Sequence, residues 1–256
     1  MRRHLAKAWP PALALVLLVL AWDLAANAAH ASLSLPGPGL VLKASWNDRG
    51  DLASATWTTT QVALLGIGLA IVCAVALAIA IDWSQAARRS IYPLMILSQT
   101  IPLIALAPLV VIWFGFGETP KVVLVALFTF FAISVGMTQG LASADLDTMN
   151  LLRTMGASRR QILWRVRLPS ALPQFFTGLK IGVTFSYVAA IFAEYVGAYN
   201  GLGYYMNVAS HAFNTDLVFG AAIVSALLTL ILFAIVAALE RAVLRWRPPA
   251  QASASW

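Results

Sequence analysis

The chain has 256 residues, of which 61% are hydrophobic and 11% charged, and a formal net charge of +7. That excess of hydrocarbon excludes an ordinary soluble domain, and the basic balance does not make it a nucleic-acid binder, because membrane proteins gather Lys and Arg in their cytoplasmic loops. A single cysteine, Cys73, excludes an internal disulfide and a cysteine-built metal site, and its place in an apolar run reads as packing.

Six apolar runs, each near the ~20 residues that cross a hydrocarbon core, occupy about 11–29, 58–81, 93–114, 121–141, 175–195 and 217–239. They are too long and too uniformly apolar for barrel strands, and in lipid only a helix satisfies its own backbone. The predicted class is all-α: a polytopic membrane protein with six transmembrane helices. It divides into a first helix with its outer loop (1–57), a core (58–244) and a cytoplasmic tail (245–256).

The first run follows "MRRHLAK" and precedes "ANAAHA", a pattern shared by a retained helix and a cleavable leader; the retained helix is favoured. Either way the basic start stays in the cytoplasm. Alternating from there, only Lys43, Arg49 and Lys121 of the 17 basic residues fall outside, and Lys180 extends its stem to the inner interface. Both termini are expected to be cytoplasmic. Residues 31–57, with "LPGPG" and "NDRGD", read as an irregular polar loop outside the membrane.

The second run carries the small residues Gly66, Gly68, Ala70, Ala74 and Ala78, and the fifth carries Gly178 and Gly182. Such surfaces suit close helix contact within one bundle or across a dimer. In the third run Gln99 and Thr100 precede Pro102 and Pro108, which remove backbone hydrogen bonds. Broken backbone at membrane depth is tolerated beside protein or a watery cavity, so these residues are candidates for a translocation pathway, with simple kinking as the alternative. Trp113, Phe114 and Phe116 close that run as an outer aromatic belt.

Glu194 is a carboxylate inside a predicted span and joins the pathway candidates. Its place near the outer end, within reach of water, also suits support of the "GAYNGLG" turn. His4, His30 and His211 have no metal-ligand spacing, so no metal is expected.

The inner loop at 142–174 is patterned. Leu146, Met149, Leu152 and Met155 recur at helical spacing behind Ser143 or Asp145 as a cap, which predicts an amphipathic helix. Gly156 is the residue type that ends helices in a left-handed conformation, and Ser158 with Gln161 forms a capping box for a second helix. That helix carries Arg159, Arg160 and Arg167 and should stop before Pro169. No Gly-x-x-x-x-Gly-Lys-[Ser/Thr] occurs, so ATP would have to be hydrolysed on another polypeptide.

Gly156, then Val166, Leu168 and Pro169 at their spacing, resemble the EAA loop of the importer permeases of the ATP-binding cassette class, the binding-protein-dependent transport family. Asn150, Leu151 and Leu152 stand where that motif has its Glu-Ala-Ala. The stretches "SQTIPLIALAPLVVIWFGFGETPK" and "EYVGAYNGLGYYM" extend the resemblance to the sulfonate, taurine and nitrate permeases, and more closely to those for thiamine-precursor pyrimidines and riboflavin.

The resemblance implies a non-catalytic permease subunit in the bacterial inner membrane, without a bound cofactor of its own. Its expected partners are ABC ATPase subunits, an extracytoplasmic solute-binding protein and a second permease copy, with a homodimer favoured. It also implies that Arg153, Gly156, Ser158, Arg159, Arg160, Gln161, Val166, Leu168 and Pro169 couple the bundle to the ATPase. A membrane scaffold that transports nothing is the alternative of a different class.

Overall fold

The computed structural model describes residues 2–28, 35–83, 85–98 and 102–246, and every regular element among them is helical. Helix α1 is Arg2–Ala28, α2 is Pro38–Asn47 and α3 is Arg49–Trp83. The third apolar run is divided into α4, Gln85–Ser98, and α5, Leu103–Phe114, with Pro102 in extended conformation before α5. Next come α6, Glu118–Ala142; α7, Leu146–Thr154; and α8, Arg159–Ile162. A π-helical turn, Leu163–Arg167, leads into α9, Leu168–Gly197, followed by α10, Leu202–His211, and α11, Thr215–Val243.

Among the described residues, four helical stretches are long and apolar enough to cross a membrane: Arg49–Trp83, Glu118–Ala142, Arg159–Gly197 and Thr215–Val243. The apolar stretches Val16–Ala28 and Ala105–Phe114 are shorter. The expected irregular loop at 31–57 is helical over Pro38–Asn47 and again from Arg49 onward. Gly37 is extended and Pro38 opens α2, because a proline at the first helical position gives up an N–H that would be unpaired anyway. Asp48 then closes α2, and its carbonyl takes the Leu52 N–H, so α3 starts well before its apolar stretch.

Packing centres on α9, which lies against α6 along its length, with α3 packed on α6 and also touching α9. The main core joins Ile67, Ala70 and Ala74 of α3, Ala126 and Ile133 of α6, Phe176, Leu179 and Val183 of α9, and Val236 of α11. Small residues permit this closeness. A Cβ on Gly178 would strike the Ala132 carbonyl, and one on Gly136 the Gln174 carbonyl, so the fifth-run glycines serve the α6–α9 contact inside one chain. Gly66 likewise faces Val125, whereas Gly68 has open space beside it. Cys73 is exposed rather than packed, on the outward face of α3.

Gly178→Val should therefore cost about 3 kcal/mol, since backbone cannot yield to an added side chain as a flexible tip does. Gly68→Val should be nearly neutral. Thermal unfolding of the two variants in one detergent checks the contrast.

Candidate functional site

The segment between α6 and α9 is built from terminal hydrogen bonds. Ser143 closes α6 by donating its N–H to Gln139 and Gly140 carbonyls, and Asp145, not Ser143, caps α7. The Asp145 carboxylate accepts the N–H groups of Asp147 and Thr148 at 3.2 Å each and also the Thr148 hydroxyl. The Thr148 hydroxyl, followed by those two amides, holds the Asp145 carboxyl below its ordinary range. Its capping contribution is therefore present above the ordinary aspartate pKa and lost as pH falls through the lowered one.

At the other end of α7, Gly156 has φ +83°. The Gly156 N–H donates to Arg153 O and the Ala157 N–H to Leu152 O at 2.9 Å, the paired bonds of a Schellman turn. The chain then reverses into α8 through a complete capping box: Ser158 N–H to Gln161 Oε1 at 2.7 Å, and Gln161 N–H to Ser158 Oγ at 3.3 Å. Two helices are thus held at a defined angle by four hydrogen bonds.

This hairpin has an inner and an outer face. Met149 and Ile162 are buried with Ala144, and Leu152, Ala157 and Val166 pack over them. The expected apolar ladder on α7 is split, because Leu146 and Met155 are 68% and 74% exposed. Leu151 at 61% and Trp164 at 61% join them on the outside. Arg153, Gly156, Ser158, Arg159, Arg160 and Gln161 are exposed, with Arg153 donating to Asn150 Oδ1 at 3.2 Å. Val166 and Leu168 point inward, Leu168 onto Leu141, Leu163 and Ala171, so they seat the hairpin rather than present a surface.

Pro169 does not stop the helix as its ring would suggest. The turn ahead of it widens, so that the Leu168 N–H reaches the Leu163 carbonyl five residues back. A π-turn absorbs a proline because it relieves the crowding at the carbonyl four residues before the ring. The hairpin is therefore continuous with α9, and Arg159–Gly197 forms a single helical rod of 39 residues.

The pathway candidates separate. Gln99 and Thr100 lie outside the described residues, and Pro102 and Pro108 are exposed on or beside α5. Glu194 is 1% exposed, which corrects the expectation of a carboxylate within reach of water. Its oxygens accept the Gly203 N–H at 2.9 Å and lie 2.8 and 2.9 Å from Thr59 Oγ1, which itself accepts the Leu202 N–H at 2.8 Å. Glu194 and Thr59 thus occupy the unpaired amides at the start of α10 and bind it to α9 and α3.

Three features lay beyond the sequence patterns. One face of α9 stays uncovered, with Gln174, Thr177, Ile181, Thr184, Phe185 and Val188 in succession. Thr177 and Thr184 return their hydroxyl protons to Pro173 O and Lys180 O, leaving only acceptor lone pairs outward. The Lys180 ammonium meets Glu240 of α11 at 2.8 Å. Asp82 and Glu240, each just past a predicted span end, are the acids that receive Arg167 and Lys180. Finally, a cavity of about 340 Å³ opens between the start of α3 and α10, lined by Asp48, Asp51, Asn200, Tyr204, Tyr205 and Asn214. The Tyr205 phenol donates to Asp48, and burial, with that bond and the carboxylates of Asp48, Asp51 and Asp216, pushes its pKa up.

Comparison with known proteins bears on this arrangement. Residues 66–245 match the family described as the binding-protein-dependent transport system inner membrane component. The formylaminopyrimidine transport permease protein ThiX of Halalkalibacterium halodurans is 36% identical over 94% of this chain and 97% of its own. The riboflavin transport system permease protein RibX of Chloroflexus aurantiacus is 33% identical over 91% and 88%, and the taurine transport system permease protein TauC of Escherichia coli 32% over 92% and 88%. A chain of the inward-facing MetNI methionine ABC transporter shares the fold, with a TM-score of 0.68 at 19% identity over 77% of this chain and 98% of that one. A multi-pass helical bundle, a hairpin continuous with its central helix and a family match across most of the chain lead to one conclusion: this chain belongs to the permease family of the binding-protein-dependent importers of the ATP-binding cassette class.

Proposed function

We propose that this chain is the membrane half of an importer whose motor is a separate ATPase seated on the α7–α8 hairpin. The observation that carries this is the hairpin's outer face, where Leu146, Leu151 and Met155 stand exposed beside Arg153, Arg159 and Arg160 on a turn held by four backbone-directed hydrogen bonds. Exposed leucines and methionine cost free energy in water, so a rigid surface of this kind favours a protein partner. Gly156, Ser158 and Gln161 shape that surface, while Val166, Leu168 and Pro169 join it to α9 and carry its motion into the bundle.

A second copy of the chain completes the path, with both termini on the cytoplasmic side and six crossings per copy. The path is lined by the uncovered face of α9 together with the region of Gln99, Thr100, Pro102 and Pro108. Glu194 is assigned to holding α10 rather than to the path. An extracytoplasmic binding protein delivers the solute, for which a thiamine-precursor pyrimidine is the favoured class. The near full-length relation to a formylaminopyrimidine permease supports that choice. Taurine or another alkanesulfonate is the second reading, supported by the taurine permease relation.

Cysteines introduced at Ser158 and Gln161 should cross-link in native membranes to the ATPase encoded beside the permease. Cells lacking the permease should lose uptake of labelled formylaminopyrimidine. Capture of no nucleotide-hydrolysing partner would refute the motor assignment, and loss of taurine uptake instead would move the substrate to the second reading.

A further inference from the structure

We propose that Arg167 is a positioning residue that clamps the root of the hairpin to two other helices, so that a push on α8 turns α3, α6 and α9 as one body. The proposal rests on the transport reading above and adds how force would leave the hairpin.

Arg167 is the last residue of the π-turn, directly before α9. Its guanidinium makes three contacts on two other helices. Nη1 pairs with Asp82 Oδ2 at the inner end of α3, and Nε and Nη2 donate to the Leu141 carbonyl of α6 at 3.3 and 3.2 Å. Leu141 lies in the final turn of α6, where carbonyls lack helical partners, and Ser143 supplies only Gln139 and Gly140. One planar cation therefore closes the end of α6 while it holds a carboxylate at the end of α3. Both helix C-termini carry partial negative charge, which favours a cation there. The side chains are only 23% and 13% exposed, so solvent screens the pair less than it would a surface pair.

Placement gives the contact its mechanical meaning. A π-turn is one widened helical turn, and a rod with such a defect can bend there instead of passing rotation onward. α8 is a single turn, and α9 packs most closely on α6, with less against α3. Without Arg167 the link from the hairpin to the inner end of α3 is the apolar cluster of Leu163 and Ala171 with Ala78, which has no directional bond to stop it sliding. With it, the inner ends of all three helices share one rigid node. The fork geometry of Arg is what allows this, since a lysine cannot hold Asp82 and grip Leu141 with two donors at once.

The test uses the complete permease with its cognate ATPase in nanodiscs. Spin labels at Ala80 of α3 or Gln174 of α9, in a Cys73→Ser background, report the distance between the two copies before and after trapping with ATP and vanadate. In the parent protein both distances should change by similar amounts. In Arg167→Ala, and in Asp82→Asn as a milder break, the Gln174 distance should still change, while the change at Ala80 should shrink at least threefold. Arg167→Lys should keep more than half of it. ATPase co-purification should be equal in all four proteins.

Equal movement at both positions in Arg167→Ala or in Asp82→Asn would overturn the clamp. Loss of ATPase binding in either would overturn it too, by making the pair part of the docking surface. A parent protein that moves at neither position would instead refute the transport reading, which keeps the two failures distinct.

Discussion

Glu194→Ala is expected to destabilise the protein by about 3 kcal/mol, because it leaves the buried Gly203 N–H without its acceptor and the Thr59 hydroxyl with the Ala55 carbonyl alone. The Gly203 N–H would lose its only side-chain partner, and Thr59 would lose the carboxylate next to the hydroxyl that receives the Leu202 N–H. Space for repair is small: a Cβ on Gly201 would meet the Glu194 carboxylate and one on Gly203 the Ile191 carbonyl, so α10 sits directly against α9. Leu202 is fully buried against Leu52, Ala55 and Ala221, and an N-terminus that drifts would expose it.

Glu194→Gln keeps the shape and one oxygen acceptor, and should cost less than half as much. Thermal unfolding of both variants in detergent decides the matter. An alanine variant as stable as the parent would show that α10 holds without the carboxylate. Uptake by a stable Glu194→Gln variant near the parent's level would agree with a supporting role rather than one in the path.

Gly156→Asp should leave the protein inserted and folded yet lower uptake and ATPase association at least tenfold. At φ +83° a side chain is strained by the backbone itself, at about 1–2 kcal/mol, and nothing lies within 4 Å of the added Cβ to raise that cost. The fold should therefore survive. The docking surface should not: the turn that sets the angle between α7 and α8 is strained, and a carboxylate enters a patch formed by Arg153, Arg159 and Arg160. A loss of about 1.4 kcal/mol of contact energy already means tenfold weaker binding.

Gly156→Ala separates the two causes, since it imposes the same backbone strain without the charge. It should fall between parent and aspartate. Normal uptake in Gly156→Asp would mean that the hairpin is no docking surface, and failure to insert would mean that the glycine serves folding.

Much of the hairpin was legible in advance because its signals are local. A glycine after an apolar ladder, a serine three residues before a glutamine, and an aspartate before a leucine each bond within a few residues, so spacing along the chain is spacing in space. The membrane class was legible for a related reason: hydrocarbon demands long apolar helices whatever their neighbours are. Pro169 misled because its effect depends on whether the turn ahead can widen, which is a property of the packing on Leu163 and Leu168. In the stretch at 35–57 proline and glycine signal a break by residue type alone, whereas Gly37 and Pro38 stand where a helix begins.

Composition and short-range pattern were thus sufficient for a helical membrane protein with a basic hairpin, since each is decided by solvent or by neighbours within a turn. Tertiary structure alone chose which acid meets Arg167, which hydroxyl and amide Glu194 receives and which face of α9 stays open. Those pairs lie 85 residues apart for Asp82 and Arg167 and 135 for Thr59 and Glu194. No local pattern selects among distant partners, and only the approach of helices across their small residues brings these groups within hydrogen-bond reach.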